Sequence, residues 1–288
     1  MRTVFVDGQG SVRSGWKMLG AVVLTALGAA GLIFVRRLLP ADVRHFLPEQ
    51  YLAFLGALFA SWVCLRLERR PFASLGLTPD GRFARELGVG LVGGTALLGL
   101  VALIVWLTGG YHLARVPEAG VALLLEGAWT MLGVALFEEV LFRGYLLQRA
   151  MHGLGRRGGQ VLLAVLFCLA HTYPPELGAA GLVLAMLNTF LAGLLLGLCA
   201  VRMQRLALAV GVHLGWNWAQ QSLGFGVSGH APAGLWTPVF HGQPQWLTGG
   251  QYGLEASAVA AVVLALAVVA LARRARGSQP STAPAVAA

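Results

Sequence analysis

The chain has 288 residues, 57% of them hydrophobic and only 11% charged, with a mean hydropathy of +0.71. A water-soluble fold of this size cannot hide so much apolar surface, which excludes an ordinary globular domain and predicts an all-α polytopic transmembrane helical bundle. The net charge of +9 would suggest nucleic acid in a soluble protein. Here the Arg residues sit in short segments between apolar runs, where they set membrane orientation, so membrane lipids are expected partners and nucleic acid is not.

A hydrocarbon core about 30 Å thick needs about 20 apolar residues of helix to cross it. About eight stretches approach that length: Trp16 to Val35, Tyr51 to Leu67, Leu87 to Leu107, Ala122 to Leu147, Val161 to Tyr173, Gly181 to Val201, Leu206 to Leu223 and Leu254 to Ala272. The fifth is short for a perpendicular crossing and is expected to tilt or to begin earlier. When loops are assigned alternately to two sides, Arg36, Arg37, Arg44 and Arg115 fall on one side and Arg143 inside a span. All the other Lys and Arg residues fall together on the opposite side. The positive-inside rule then predicts an integral membrane protein with both termini in the cytoplasm. The Ala-, Gly- and Arg-rich composition and short loops fit a bacterial cytoplasmic membrane. A signal peptide would also begin with a basic, then apolar, then Ala29-Ala30 pattern, but Arg36-Arg37 follows, and removing this span would invert the charge pattern.

Residues 1–276 are therefore expected to form a single transmembrane helical domain, with a motif-bearing core at about 122–223. Residues 277–288, rich in Ser, Pro and Ala, are expected to be a disordered cytoplasmic tail. The segment from Phe225 to Gly253 has no Lys or Arg and many Gly and Pro, which predicts an external loop and partial lid. Cys64, Cys168 and Cys199 lie in apolar runs without C-x-x-C spacing and are expected to be packing residues.

Ionisable groups are expensive in hydrocarbon, so those inside spans are functional candidates. In Phe137-Glu138-Glu139-Val140-Leu141-Phe142-Arg143, Glu139 and Arg143 are four apart and can pair on one helix face. Glu138 points about a hundred degrees away, so the two carboxylates can hold different jobs. Phe167 with His171, and His213 with Asn217, share faces at the same spacing on other spans. Counted along the helices, Glu138, His171, His213 and Asn217 lie roughly 12 to 20 Å from the nearest cytoplasmic Arg, near mid-bilayer. A carboxylate in an apolar pocket is a better general base, so Glu138 can take a proton from a water held by His171. His213 and Asn217 can offer donors to the oxyanion formed when that water attacks a carbonyl. Gly193 to Gly197 and Gly211 to Gly215 have GxxxG spacing, which allows the helices carrying these residues to pack closely.

At these positions the chain resembles the CPBP family, the CAAX-type prenyl endopeptidases and bacteriocin-processing enzymes also called Abi proteins. That family's EExxxR, FxxxH and HxxxN motifs appear as Glu138-Glu139-x-x-x-Arg143, Phe167-x-x-x-His171 and His213-x-x-x-Asn217, within about 80 of the 288 residues. The resemblance implies an intramembrane glutamic endopeptidase acting on a peptide or protein substrate, with no cofactor and no metal. By motif position, Glu138 and His171 activate water, and His213 and Asn217 form the oxyanion hole. Glu139, Arg143 and Phe167 support the site. A peptide precursor, a bacteriocin leader or the end of a membrane protein are the candidate substrates.

Other chemistries meet the same residues less well. Zinc held by Glu138, His171 and His213 is chemically admissible, but no H-E-x-x-H is present and Asn217 would have no role. Gly226-Val227-Ser228-Gly229 spells G-x-S-G, but that Ser, His230 and His241 lie in a Gly- and Pro-rich loop rather than on helices. Asp7, Asp42 and Asp80 are expected in loops, away from any aspartyl site. A non-catalytic scaffold or proton-coupled transporter would use the same buried Glu and His set, yet the paired repeats and broken helices of transporters are missing. Asn188 is expected to make a helix–helix hydrogen bond, and Glu126 to lie at the interface.

Overall fold

An apolar chain in hydrocarbon must satisfy its backbone hydrogen bonds internally, and helices do so within one segment. The computed structural model describes residues 2–8, 10–230 and 233–276. Its elements, in order, are helices α1 (Arg2–Phe5), α2 (Ser14–Arg37), α3 (Ala41–His45), α4 (Glu49–Leu67) and α5 (Gly81–Leu107), then strand β1 (Tyr111–Arg115). Helices α6 (Val121–Glu139), α7 (Leu146–Leu169), α8 (Gly178–Met203) and α9 (Ala207–Ser222) follow, then β2 (Trp236–Phe240), α10 (Gln245–Thr248) and α11 (Ala258–Arg276). The fold is an all-α bundle carrying one small two-stranded antiparallel sheet. The tail at 277–288 lies outside the described residues.

Five helical segments among the described residues are long and apolar enough to cross a membrane, fewer than the eight apolar stretches of the sequence. The fourth and fifth stretches lie on one run, Val121–Leu169. The last two lie on α9, 16 residues long, and α11, Ala258–Arg276. The fourth-to-fifth run is broken twice. Gly144 leaves helical geometry at ψ −116° within a π-turn, Val140–Tyr145, and Gly155 takes φ +73° inside α7, a turn that favours glycine. The expected earlier start of the fifth stretch is thus α7, bent at Gly155. Asp42 lies on the short α3 rather than in a loop.

The segment expected to be an external loop is more ordered than its composition suggests. Its β2 pairs antiparallel with β1, Tyr111 opposite Phe240 and Arg115 opposite Trp236. Two five-residue strands beside long apolar helices offer too short an alternation to stand out in sequence. The sheet marks one end of the bundle, and the Arg-rich connections mark the other.

Close glycine contacts set the helix that carries His213 and Asn217. A Cβ on Gly90 or Gly94 of α5 would collide with the α9 backbone at Leu208 and Val212, and one on Gly211 or Gly215 would strike Leu87 or Leu91 of α5. The Thr95 hydroxyl crosses the same contact to the Gly215 carbonyl at 3.2 Å. Gly211 and Gly215 therefore meet a second GxxxG pair, Gly90 and Gly94, and the backbones approach because none of the four carries a side chain.

At the Arg-rich end the helices are tied by closed charge clusters. Glu68, just past α4, accepts from the Tyr145 hydroxyl at 2.8 Å and pairs with Lys17 at 3.1 Å and Arg149 at 3.0 Å. Burial opposes ionisation of Glu68, but the Tyr145 hydroxyl and the two cations outweigh it and hold its carboxyl below the usual range. Asp80 caps α5 through the Phe83 N–H at 2.7 Å and takes both Arg205 nitrogens at 2.6 and 2.7 Å. The Arg205 bonds first, and the Phe83 N–H next, hold its carboxyl well below the usual range. Asn188 joins α8 not to another helix but to the turn before α11, through the carbonyls of Glu255 at 2.7 Å and Ser257 at 2.9 Å. Glu126 is exposed on α6.

Candidate active site

Glu138 and Glu139 end α6 where it passes into the π-turn, a distortion common at functional sites. Glu139 has no exposed surface, and its Oε1 accepts from Arg143 at 3.1 Å and from His213 Nδ1 at 2.9 Å. The expected Glu139–Arg143 pair is therefore present and extended to a third helix. Glu138 Oε2 lies 3.7 Å from His213 Nε2, within ion-pair reach but too far for a hydrogen bond. The two carboxylates diverge along the helix yet face the two nitrogens of one imidazole, which only the approach of α9 could arrange.

Phe167 is the hub. Its ring lies 4.1 Å beneath the Arg143 guanidinium, 5.1 Å from the Phe142 ring, 4.6 Å from His171 and 6.3 Å from His213. An Arg over an aromatic face gains a cation–π attraction that grows as water is excluded. Arg143 also donates to the Gly193 carbonyl of α8 at 3.3 Å, so this one cation braces α6, α7 and α8 beside the α9 imidazole.

His171 follows the end of α7, and its Nδ1 lies 2.7 Å from the Phe167 carbonyl. A carbonyl only accepts, so Nδ1 carries the hydrogen and Nε2 keeps its lone pair in the neutral ring. Asn217 is buried one turn beyond His213 and makes no hydrogen bond among the described residues. The sequence-derived residues thus come together through Phe167 and His213. No direct bond joins Glu138 to His171 among the described residues. Also among them, no three His, Cys, Asp or Glu side chains are placed to hold one metal ion.

Residues 120–219 match the family model described as Rce1-like, type II CAAX prenyl endopeptidase. This segment is similar to the CPBP family. It spans α6 to α9 and contains all three motifs. No curated protein matches the chain at a significant level. The matched segment and the chain's apolar helices make it an integral membrane protein, and the match supports a CAAX-type protease with a peptide or protein substrate.

Three features in and around the matched segment escape the motif pattern. Gly90 and Gly94 were legible as GxxxG, but their facing helix was not. The π-turn leaves no mark in residue type. Glu255 carries the one signal that sequence offers for such a group, an acid at the head of an apolar stretch, and its position against the site depends on the fold.

Proposed function

We infer that the protein hydrolyses peptide bonds within the membrane by glutamate-activated water. Glu138 is the general base: it takes one proton from the water as the oxygen attacks the scissile carbonyl, and returns a proton to the leaving amine. His171 holds the same water by accepting its other hydrogen at Nε2, the nitrogen left available by the bond from Nδ1 to Phe167. His213 and Asn217 donate to the oxyanion. Asn217 has an amide with no other partner among the described residues, and His213 is aimed by Glu139 through Nδ1. Donation from Nε2 as well requires a proton on both ring nitrogens, a charge that the two flanking carboxylates neutralise.

The observation that carries this reading is the single imidazole held between two adjacent carboxylates, with His171 Nε2 and the Asn217 amide, unpaired among the described residues, on the neighbouring elements. The support drawn from Arg143, Glu139 and Phe167 is positional. The whole of residues 1–276 acts as one domain, with both termini and the Arg-rich end in the cytoplasm of a bacterial cell and the β1–β2 sheet outside.

The test is cleavage of a mixed peptide library by the purified, detergent-solubilised chain, read by mass spectrometry against Glu138→Gln and His171→Ala. Fragments made by the wild type and by neither variant are expected, and their ends define the cut site. Equal cutting by all three would overturn the reading in favour of a scaffold or transporter. Loss of cutting with a chelator, restored by zinc, would replace the glutamate mechanism with a metal-dependent one.

A further inference from the structure

A cavity of about 780 Å³ opens at the Arg-rich end, between the first turns of α2 and the stretch of α7 from Arg149 to Leu154. The two helices meet closely there. A Cβ on Gly153 of α7 would stand 3.1 Å from the Ser14 Cβ at the start of α2, and His152 Nδ1 comes within 3.5 Å of the Ser14 hydroxyl oxygen. α2 is one of the segments long and apolar enough to cross a membrane. Its first turns therefore mark the level at which the chain enters the bilayer, where lipid headgroups lie. Trp16, which lines the cavity, is a residue type favoured at that level.

One side of the cavity is cationic. Arg13, Lys17, Arg149 and His152 line it against a single lining carboxylate, Asp7, whose Oδ1 accepts from the Ser11 N–H at 2.9 Å. Glu68 takes Lys17 and Arg149 together, at 3.1 and 3.0 Å. Two cations thus share one negative charge even when Arg13 is set against Asp7. Arg149 is 9% exposed, and its Nε makes no hydrogen bond among the described residues. A buried donor without an acceptor costs free energy, which an anionic oxygen beside the guanidinium would recover. The helix end adds to this field: Arg13 makes no side-chain cap bond to α2, and the first turn holds no acid. Ser14 and Gly15 of that turn line the cavity, so the partial positive charge of the α2 N-terminus faces it uncompensated. The other side is apolar, built from Met18, Leu19, Leu154 and Leu162, and Leu19 and Leu154 continue it onto the exposed surface of the bundle.

We propose that this cavity binds one anionic membrane phospholipid, with the phosphodiester held by Arg13, Arg149 and the α2 N-terminus and the acyl chains lying along Leu19 and Leu154. Basic pockets between membrane helices recognise such headgroups. A free phosphate would satisfy the cations but leave the apolar wall unused, and a zwitterionic lipid brings a cation of its own into a site already in positive excess. The bound lipid bridges α2 to α7 just before the bend at Gly155. The cavity shares no residue with the Glu138, His171, His213 and Asn217 set, so the proposal stands apart from the hydrolytic reading.

The full chain, delipidated in a neutral detergent, is mixed with micelles carrying dioleoylphosphatidylglycerol, with micelles carrying dioleoylphosphatidylcholine, or with inorganic phosphate alone. Retained lipid is counted by native mass spectrometry, and Tm is followed by thermal unfolding. The wild type is expected to retain one phosphatidylglycerol per chain and to gain Tm from it, and to do neither with phosphatidylcholine. Gly15 supplies the deciding pair of variants, because a Cβ there meets nothing within 4 Å. Gly15→Asn should bind as the wild type does. Gly15→Asp sets a carboxylate beside the phosphodiester and should weaken retention by about tenfold or more, as like charges do. Its Tm in plain detergent should not fall, since an acid in the first turn favours the helix. Arg13→Gln should weaken retention in the same direction. Equal retention of the two lipids by the wild type would overturn the proposal, as would wild-type retention of phosphatidylglycerol in both Gly15→Asp and Arg13→Gln. The full rise in Tm with inorganic phosphate alone would make the cavity a site for the free anion and overturn the lipid assignment.

Discussion

The Arg-rich end and the sheet end of this bundle use polar groups in opposite ways. At the Arg-rich end Glu68 is surrounded by Tyr145, Lys17 and Arg149, and Asp80 is saturated by Arg205 and the Phe83 N–H. Toward the sheet end, His171 Nε2, the Asn217 amide and Glu255 Oε1 make no hydrogen bond among the described residues. Closed clusters hold helices in place, whereas groups held rigidly but left unpaired are ready for a substrate and water. Arg143, Glu139 and His213 lie between the two regimes, fastened on one side and presenting Nε2 on the other.

The contrast predicts that substitutions in the closed clusters act on stability and those among the open groups act on turnover. Arg143→Ala should have the largest effect, because it strands the fully buried Glu139. A loss of about 3–5 kcal/mol is expected for breaking a buried pair, measured by thermal unfolding, together with loss of activity. Glu138→Gln should lower kcat by about 10²–10⁴-fold with Tm almost unchanged, as removal of a general base does. Asn217→Ala should cost about 10²–10³-fold in kcat, the usual loss for one oxyanion donor. A fall in Tm of the size seen for Arg143→Ala would instead place Asn217 with the closed groups.

Smaller effects sharpen the closed side. Tyr145→Phe removes one donor to Glu68 and should destabilise by about 1 kcal/mol without touching kcat. Asp80 tests the sign of the charge contribution. Its folded carboxyl lies below the ordinary value of 3.8, so its stabilisation is present above that pH and lost as pH falls through the depressed folded value. Wild type should therefore lose Tm below about pH 4 more steeply than Asp80→Asn, whose side chain does not titrate. Parallel curves would show that the Asp80–Arg205 bridge contributes little.

How far the sequence reaches can be followed residue by residue. The apolar runs dictated helices, because hydrocarbon leaves the backbone no other partner. The four-residue spacing dictated that Glu139 meets Arg143 and that His213 and Asn217 share a face, because a helix turns in 3.6 residues. The motifs alone led to the family. Local periodicity says nothing about what lies opposite a helix face. That both carboxylates address one imidazole depends on α9 closing against α5 across Gly90, Gly94, Gly211 and Gly215. That the fourth and fifth stretches form one run bent at Gly144 and Gly155 depends on backbone angles that composition does not encode. That Glu255 accepts from the Ser228 N–H depends on a loop folded back from beyond α9. Residue type and spacing determined what chemistry this chain carries, and contacts between segments far apart in sequence decided which atoms are paired and which are left free to act.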